Sequence, residues 1–438
     1  MSVFTDKWID EHKDELVEKL QQCVRINSVR DDGSTREGAP FGEGAAKCLE
    51  DTLNTAKEMG FEVKNLDGYC GTVDYGTGEE QLGILAHLDV VPEGEGWTYP
   101  PYAAEIHDGR LYGRGTMDDK GPAFAALFGM MVLYFQCGSM SFTAGGFMTE
   151  VTPLTLTAVF CMILGFSAKA GLFPLHNWLP SAHPVAPAPA HALLSGVIAK
   201  VGAVAVIRTI YCMVGAELLR GTWVQTACLC LALVTIFMGS FMGCTENGLK
   251  KRLAYSSISQ ISYVLLGVFI LSPLGLTGAL LQIFFHAAAK IGVFQSAGAI
   301  IYLTDVTTID RFPALGKRIP VTMICFTMLS LSLVGIPPFG GFHSKWYLAI
   351  GALKTLPGAM GYVIPAVLLA SALFTAAYLF SPIVHSFFPG RDFPTPARVR
   401  EPAAMMLSLV VFSASVLLLG LFPNGVISAM RSIAEGLM

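Results

Sequence analysis

Acidic side chains nearly vanish from this 438-residue chain beyond position 120. The first 120 residues carry 25 acidic and 12 basic groups, and the remainder carries 8 and 17. An acidic segment of ordinary soluble character is thus joined to a basic, very apolar one. Other absences narrow the reading. The ten cysteines include no CxxC pair and no paired framework; Cys161, Cys212, Cys228 and Cys230 fall in apolar runs as small buried hydrophobes. No apolar leader opens the chain, because MSVFTDKWIDEHKDELVEKL is a charged amphipathic helix. Nucleic acid is excluded as a partner. The basic excess sits in short loops between apolar runs, as the positive-inside rule expects of a membrane protein.

The soluble segment reads as α/β. A helix is expected over 4–22, with Trp8, Leu16 and Leu20 at helical spacing, and another over 43–59, stopped by Gly60. The strands FEVKNLD, GTVDYG and LGILAHLDVV follow, then a strand–loop pattern through AAEIHDGRLYGRG. A mostly parallel sheet is expected, with chemistry at its strand ends. HLDVVPEGEGW places His87 and Asp89 at the end of a buried strand, and GRGTMDDKGP places Asp118 and Asp119 in a loop. A histidine and a carboxylate so disposed suit Zn²⁺, with Asp89 orienting the histidine. Taken singly, each motif reads more readily as loop carboxylates and a core histidine.

Together these motifs resemble the di-zinc aminoacylase/dipeptidase family of metallopeptidases, nearest its bacterial dipeptidase branch, from the N-terminus to about Leu127. The resemblance implies that His87 binds one zinc, that Asp118 bridges two metals and that Asp89 supports His87. AFAALFG would begin the helix behind the bridging aspartate. The family also needs a Glu–Glu pair, a later Asp and a late His. After Gly121 the only acidic residue before the membrane runs is Glu150. Zn²⁺ is therefore expected at most at an incomplete site, and no working peptidase is expected.

From about Phe124 apolar runs follow one another: 124–138, 150–180, 189–214, 222–243, 253–272, 276–303, 319–355, 360–385 and 402–424. Two contain breaks, one at Pro174 and Pro180 and one at GIPPFGGFHSK, 335–345. The fold class expected is a mostly α, polytopic membrane helix bundle of about nine spans. Two of its helices are discontinuous, and a truncated soluble α/β segment precedes it. Nine crossings put Lys250-Lys251-Arg252, the Arg311 to Arg318 loop and the Arg391 to Arg400 loop on one, cytoplasmic side. The N-terminal segment is then cytoplasmic, the C-terminus outside, and the location a cell inner or plasma membrane.

Ionisable residues at membrane depth mark functional sites by default. Lys169 precedes the first break, in KAGLFPLHNWLPSAHPVAPAPAHALLSGVIAK, which ends at Lys200. Lys290 lies four residues after His286, on the same helix face, and Lys345 follows the second break. Lysines with intervening histidines can pass protons, because charge moved at one changes the proton affinity of the next. His176, His191 and His286 are relay candidates, and His183, among prolines, is the weakest. Each histidine reads equally as a packing residue, and Lys345 alone as a snorkelling side chain.

FPLHNWLPSAHPVAPAPAHALLSG, LKKRLAYSSISQISYVLLG, FFHAAAKIGVFQSAG and GIPPFGGFHSKWYL resemble the antiporter-like membrane subunits of complex I, Mrp-type Na⁺/H⁺ antiporters and membrane-bound hydrogenases. The likeness covers about residues 130–425. It implies that Lys169, Lys200, Lys290 and Lys345 form a proton path along the membrane midplane. It also implies partners, namely other membrane subunits of such an assembly and the lipid bilayer, and no cofactor for this part. Family members carry further helices ahead of the first break, one with a glutamate that pairs with the first lysine; no acidic residue here takes its place.

The expected division is 1–127, a partial metallopeptidase-like segment, and 128–438, an antiporter-like domain lacking its first helices. The two meet at Leu127–Met131 without a Gly-, Ser- or Pro-rich linker, whereas natural fusions join whole domains across exposed linkers. The function expected is an incomplete proton- or Na⁺/H⁺-translocating subunit. A membrane-tethered zinc dipeptidase and an inactive mis-joined fusion are the alternatives.

Overall fold

The computed structural model describes residues 2–74, 86–137, 144–148, 150–185, 188–312, 314–389 and 397–438, with backbone alone for 2–11, 129–137, 182–185, 188–189 and 311. The chain divides into two units, residues 1–143 with 147–162, and residues 144–146 with 163–438.

In the first unit α1 (Ser2–Arg25), α2 (Glu43–Glu58) and α3 (Lys120–Cys137) surround two small sheets. β1 (Glu62–Leu66) pairs antiparallel with β2 (Cys70–Asp74), and β3 (Glu105–His107) with β4 (Arg110–Tyr112). The expected mostly parallel sheet is therefore not found among the described residues. The reason is local. A parallel pair needs a crossover of a dozen or more residues, whereas Asp108-Gly109, both at positive φ, turn β3 straight back into β4. Of the expected strand LGILAHLDVV, 82–85 lie outside the described residues and 86–91 are not a strand.

The core of this unit joins Cys23, Cys48, Phe124 and Phe128, flanked by Leu16 and Leu20. Ala56, Phe61 and Leu127 form a second cluster. Phe124, Leu127 and Phe128 share one face of α3 by helical spacing. The run expected as a first membrane span, 124–138, thus spends its described face packing the soluble unit. Lys120, at the start of α3, is fully buried, and its Nζ donates to Cys23 O at 2.9 Å and Ile26 O at 2.8 Å. These are carbonyls that the end of α1 leaves without helical partners.

Helix α4 (Pro153–Ala170) is shared between the units, dividing after Met162, and the further helices of the second unit include α5 (Trp178–Val185), α6 (Ala190–Val214), α7 (Trp223–Thr245), α8 (Leu249–Phe269), α9 (Pro273–Thr304), α10 (Pro320–Val334), α11 (Gly340–Thr355), α12 (Met360–Phe387), α13 (Ala403–Leu421) and α14 (Asn424–Gly436). Where about nine spans are expected, six helices among the described residues are long and apolar enough to cross a membrane alone: α4, α6, α7, α9, α12 and α13. The shortfall has physical causes. The second break leaves α10 as a short apolar helix. Helix α8 carries Ser256, Ser257, Ser259, Gln260 and Ser262, all buried, so its polar groups face protein rather than lipid. Helix α14 lies beyond the expected spans; it buries Ala434, exposes Ile433, and Arg431 donates to the Tyr347 hydroxyl at 3.0 Å.

Glu401 ties the segment before α13 to the start of α10. Its carboxylate accepts from Thr322 N at 2.8 Å, Val321 N at 3.2 Å and Thr322 Oγ1 at 2.7 Å. The first N–H groups of a helix lack intrahelical acceptors, and an anion there also meets a favourable dipole. Glu401→Ala is expected to cost about 1 kcal/mol, read as a lowered thermal midpoint with fold and reconstitution unchanged.

Candidate functional site

Both breaks occur where proline and glycine interrupt an apolar run. After α4 the chain turns at Gly171, with φ of 82°, and passes Pro174 before α5. Thr235 Oγ1 accepts from the freed Phe173 N at 3.0 Å, and Trp178 Nε1 donates to Ala168 O at 2.9 Å. After α10 the chain turns at Gly335, φ 88°, and passes Pro337-Pro338 before α11. Each break releases backbone groups, some satisfied by backbone turns and others by side chains.

At the second break the satisfying group is Lys345. Its Nζ donates to Leu333 O and Val334 O, both at 2.7 Å, and stands 5.1 Å over the Tyr263 ring. A cation at a helix C-terminus also meets the negative end of the helix dipole. Gln260 Nε2 shares Leu333 O at 3.2 Å, Gln282 Nε2 donates to Gln260 Oε1 at 2.8 Å, and Ser344 Oγ donates to Gln282 Oε1 at 2.6 Å. Beyond Tyr263 its hydroxyl meets Ser371 Oγ at 2.6 Å, and Ser371 Oγ meets Ser240 Oγ.

Lys290 is fully buried in α9; its Nζ donates to Leu253 O at 2.9 Å and lies 5.3 Å over Phe294. His191 stacks on that same Phe294 ring at 3.9 Å. Lys200 is 5% exposed, and its Nζ donates to Ser195 O. Ser195 sits in a π-helical turn, Leu194–Ile198, one of two within α6; such turns recur at functional sites. Ser195 Oγ meets Ser257 Oγ at 2.8 Å. His286 lies one turn before Lys290, and neither ring nitrogen has a hydrogen-bond partner among the described residues. His286 and Lys290 share one face of α9, one turn apart.

Lys169 and His176 flank the first break. His176 is buried and Lys169 exposed, with its Nζ 5.7 Å over the Trp178 ring. The side chain of His183 lies outside the described residues. No carboxylate among the described residues pairs with any of the four lysines. Glu217 pairs with Arg220 at 2.8 Å, Glu246 with Lys251 at 2.8 Å, and Glu150 is exposed. Sequence reasoning missed the carbonyl acceptors, the π-turns and the Gln260–Gln282–Ser344 chain. The signal was the density of hydroxyl and amide side chains in LKKRLAYSSISQISYVLLG.

In the soluble unit His87 Nε2 lies 3.2 Å from Asp118 Oδ1, His87 Nδ1 lies 3.1 Å from Asp89 O, and His87 N donates to Asp119 Oδ2 at 3.3 Å. The Asp118 hydrogen bond pushes the His87 imidazole up to about 9. The pair therefore stabilises this unit fully below the ordinary value of 6.5, and that contribution is lost as pH rises through about 9. In histidine-labelled protein the His87 ring is expected to titrate near 9, and Asp118→Asn to bring it back toward 6.5. A catalytic zinc takes three protein ligands and a water. Among the described residues no group of three or more His, Cys, Asp or Glu is placed to hold a metal. His87 and Asp118 do not by themselves make a zinc site, and no step is derived through one.

Comparison with known proteins places both units. The sequence profile of Peptidase family M20/M25/M40 matches residues 83–134. A putative dipeptidase, YtjP of Bacillus subtilis, is 45% identical over 121 residues, covering 28% of this chain and 26% of that protein. The NADH-quinone oxidoreductase subunit N of Desulforudis audaxviator is 34% identical over 317 residues, covering 69% of this chain and 62% of that protein. The chain thus spans less than two thirds of either relative. The solved Mrp complex from Dietzia sp. contains a chain of the same fold, with a TM-score of 0.64 at 23% identity over 72% of this chain and 66% of that one. The profile described as NADH:quinone oxidoreductase/Mrp antiporter, TM, matches residues 123–375. The two profiles overlap at residues 123–134, inside α3, and the chain is chimera-like. The membrane match exceeds half of the sequence, and the chain belongs to the NADH:quinone oxidoreductase/Mrp antiporter transmembrane family.

Proposed function

We propose that this chain is a proton- or Na⁺/H⁺-translocating membrane subunit, working beside other membrane subunits in a complex I-like, Mrp-type or hydrogenase assembly. The observation that carries the reading is the cluster of Lys200, His286, Lys290 and Lys345. The three lysines are bonded to backbone carbonyls rather than to carboxylates, so each can exchange its proton without breaking an ion pair, and His286 stands one turn before Lys290. Charge moved at one ionisable group changes the proton affinity of a neighbouring one, which would couple successive transfers. The buried hydroxyl and amide groups of α8 and α9 supply polar surroundings for water between them.

The path starts at Lys200. Lys169 is exposed and aromatic-flanked, and the peptidase-like segment stands where the family resemblance implies a glutamate-bearing helix. Reconstituted protein should therefore carry a proton flux that Lys200→Ala removes and Lys169→Ala leaves within about twofold of wild type. Equal losses in both variants would contradict this starting point.

The positive-inside rule favours a cytoplasmic side for the basic loops between the apolar helices. The dipeptidase-like segment brings together two donors and no general base, so dipeptide hydrolysis with added Zn²⁺ should not exceed background. The junction reads as a mis-joining of two coding sequences, since neither partner supplies a linker. One continuous sequencing read of the source DNA across codons 120–140 would refute that.

A further inference from the structure

The soluble unit holds a feature that neither family reading uses. Cys23, at the end of α1, and Cys48, in α2, are both fully buried, with their Sγ atoms 3.5 Å apart. Lys120 approaches the pair from α3, with its Nζ held on Cys23 O and Ile26 O. A cation beside a buried thiol favours the thiolate, the nucleophilic form. Either sulfur can donate to the other, and that hydrogen bond together with the nearby Lys120 charge holds the Cys48 thiol below its ordinary value. Thr52 Oγ1 lies 3.8 Å from Cys23 Sγ and is itself held on Cys48 O at 2.8 Å, which fixes the pair's orientation.

A cleft of about 470 Å³ opens beside α1 and α2, lined by Gln22, Ile26, Lys47 and Asp51 among others, and neither cysteine lines it. From this juxtaposition we infer that Cys23 and Cys48 are a modification site, a dithiol that small peroxides convert into a disulfide joining α1 to α2.

The chemistry balances with peroxide as the oxidant. The Cys48 thiolate attacks one peroxide oxygen, the O–O bond breaks, and the departing hydroxide takes a proton and leaves as water, giving a sulfenic acid on Cys48. The Cys23 sulfur then attacks the Cys48 sulfur, the S–O bond breaks, and the second water leaves with the Cys23 proton. Two thiols lose two electrons and the peroxide gains them. A small dithiol reductant restores the pair by exchange.

The test uses the full chain in lipid nanodiscs, treated with hydrogen peroxide and then alkylated and digested without reductant. The expected product is one linked peptide pair containing Cys23 and Cys48, with loss of both alkylation sites and full recovery after dithiothreitol. Cys23→Ser should instead leave a Cys48 sulfenic acid that dimedone traps. Exposed Cys70 is the internal control. If Cys70 oxidises while Cys23 and Cys48 remain alkylatable once denatured, the inference is overturned. Linkage of either cysteine to a different partner overturns it equally. The wild-type result needs no variant to fold.

Discussion

Lys290→Leu is expected to cut proton flux by about 100-fold, the scale of losing one positioned proton-transfer group, while raising the thermal midpoint of the membrane unit. The two effects share one cause. A fully buried ammonium held by one carbonyl and one aromatic face leaves part of its hydrogen-bonding capacity unmet. An apolar side chain of similar volume removes that burden and packs against Ala289, Val293 and Phe294. A residue retained for packing alone would show the reverse, with flux kept and stability lost. Proteoliposome flux and unfolding on the same preparation separate the two outcomes.

Gly341→Ala is expected to lower stability by about 1–3 kcal/mol and to abolish flux, although it removes no ionisable group. A Cβ at Gly341 would collide with the Ser332 carbonyl oxygen, a backbone atom that cannot swing aside. Helix α11 would have to withdraw from the end of α10. Lys345 bridges those two elements through Leu333 O and Val334 O, so the withdrawal lengthens both bonds together. The variant also uncouples Ser344 from Gln282. Thermal unfolding and lysine-dependent flux should fall together. A variant that loses stability but keeps flux would show that the second break is structural only.

Much of this architecture is legible in the sequence. The charge collapse after residue 120, the apolar runs and the two proline-marked interruptions each follow from what a bilayer excludes. Lys200, Lys290 and Lys345 are visible for the same reason, since a cation inside an apolar run is costly enough to stand out. What those cations bind is not legible. Their acceptors, Ser195 O, Leu253 O and Leu333 O, are backbone atoms whose availability depends on a π-turn, a neighbouring helix and a helix end. The soluble unit shows the converse. Asp108-Gly109 signals a hairpin locally, and the parallel-sheet expectation, drawn from the alternation of helices, strands and turns, passed over that turn. Lys120 reads as an exposed loop residue beside Asp118-Asp119, yet it is buried because α3 carries it under the end of α1. The Cys23–Cys48 pair is invisible at a spacing of 25 residues, since only the packing of α1 on α2 brings the sulfurs together.

The central claim, that the buried lysine cluster moves protons, is tested most directly by one measurement. The full chain is reconstituted in liposomes enclosing a pH-sensitive dye, and proton uptake is driven by a potassium diffusion potential. The account predicts uptake above that of empty liposomes in wild type and Lys169→Ala, and none above that level in Lys200→Ala or Lys290→Ala. Folded wild-type protein that gives no more uptake than empty liposomes, or uptake indifferent to Lys290, would contradict it.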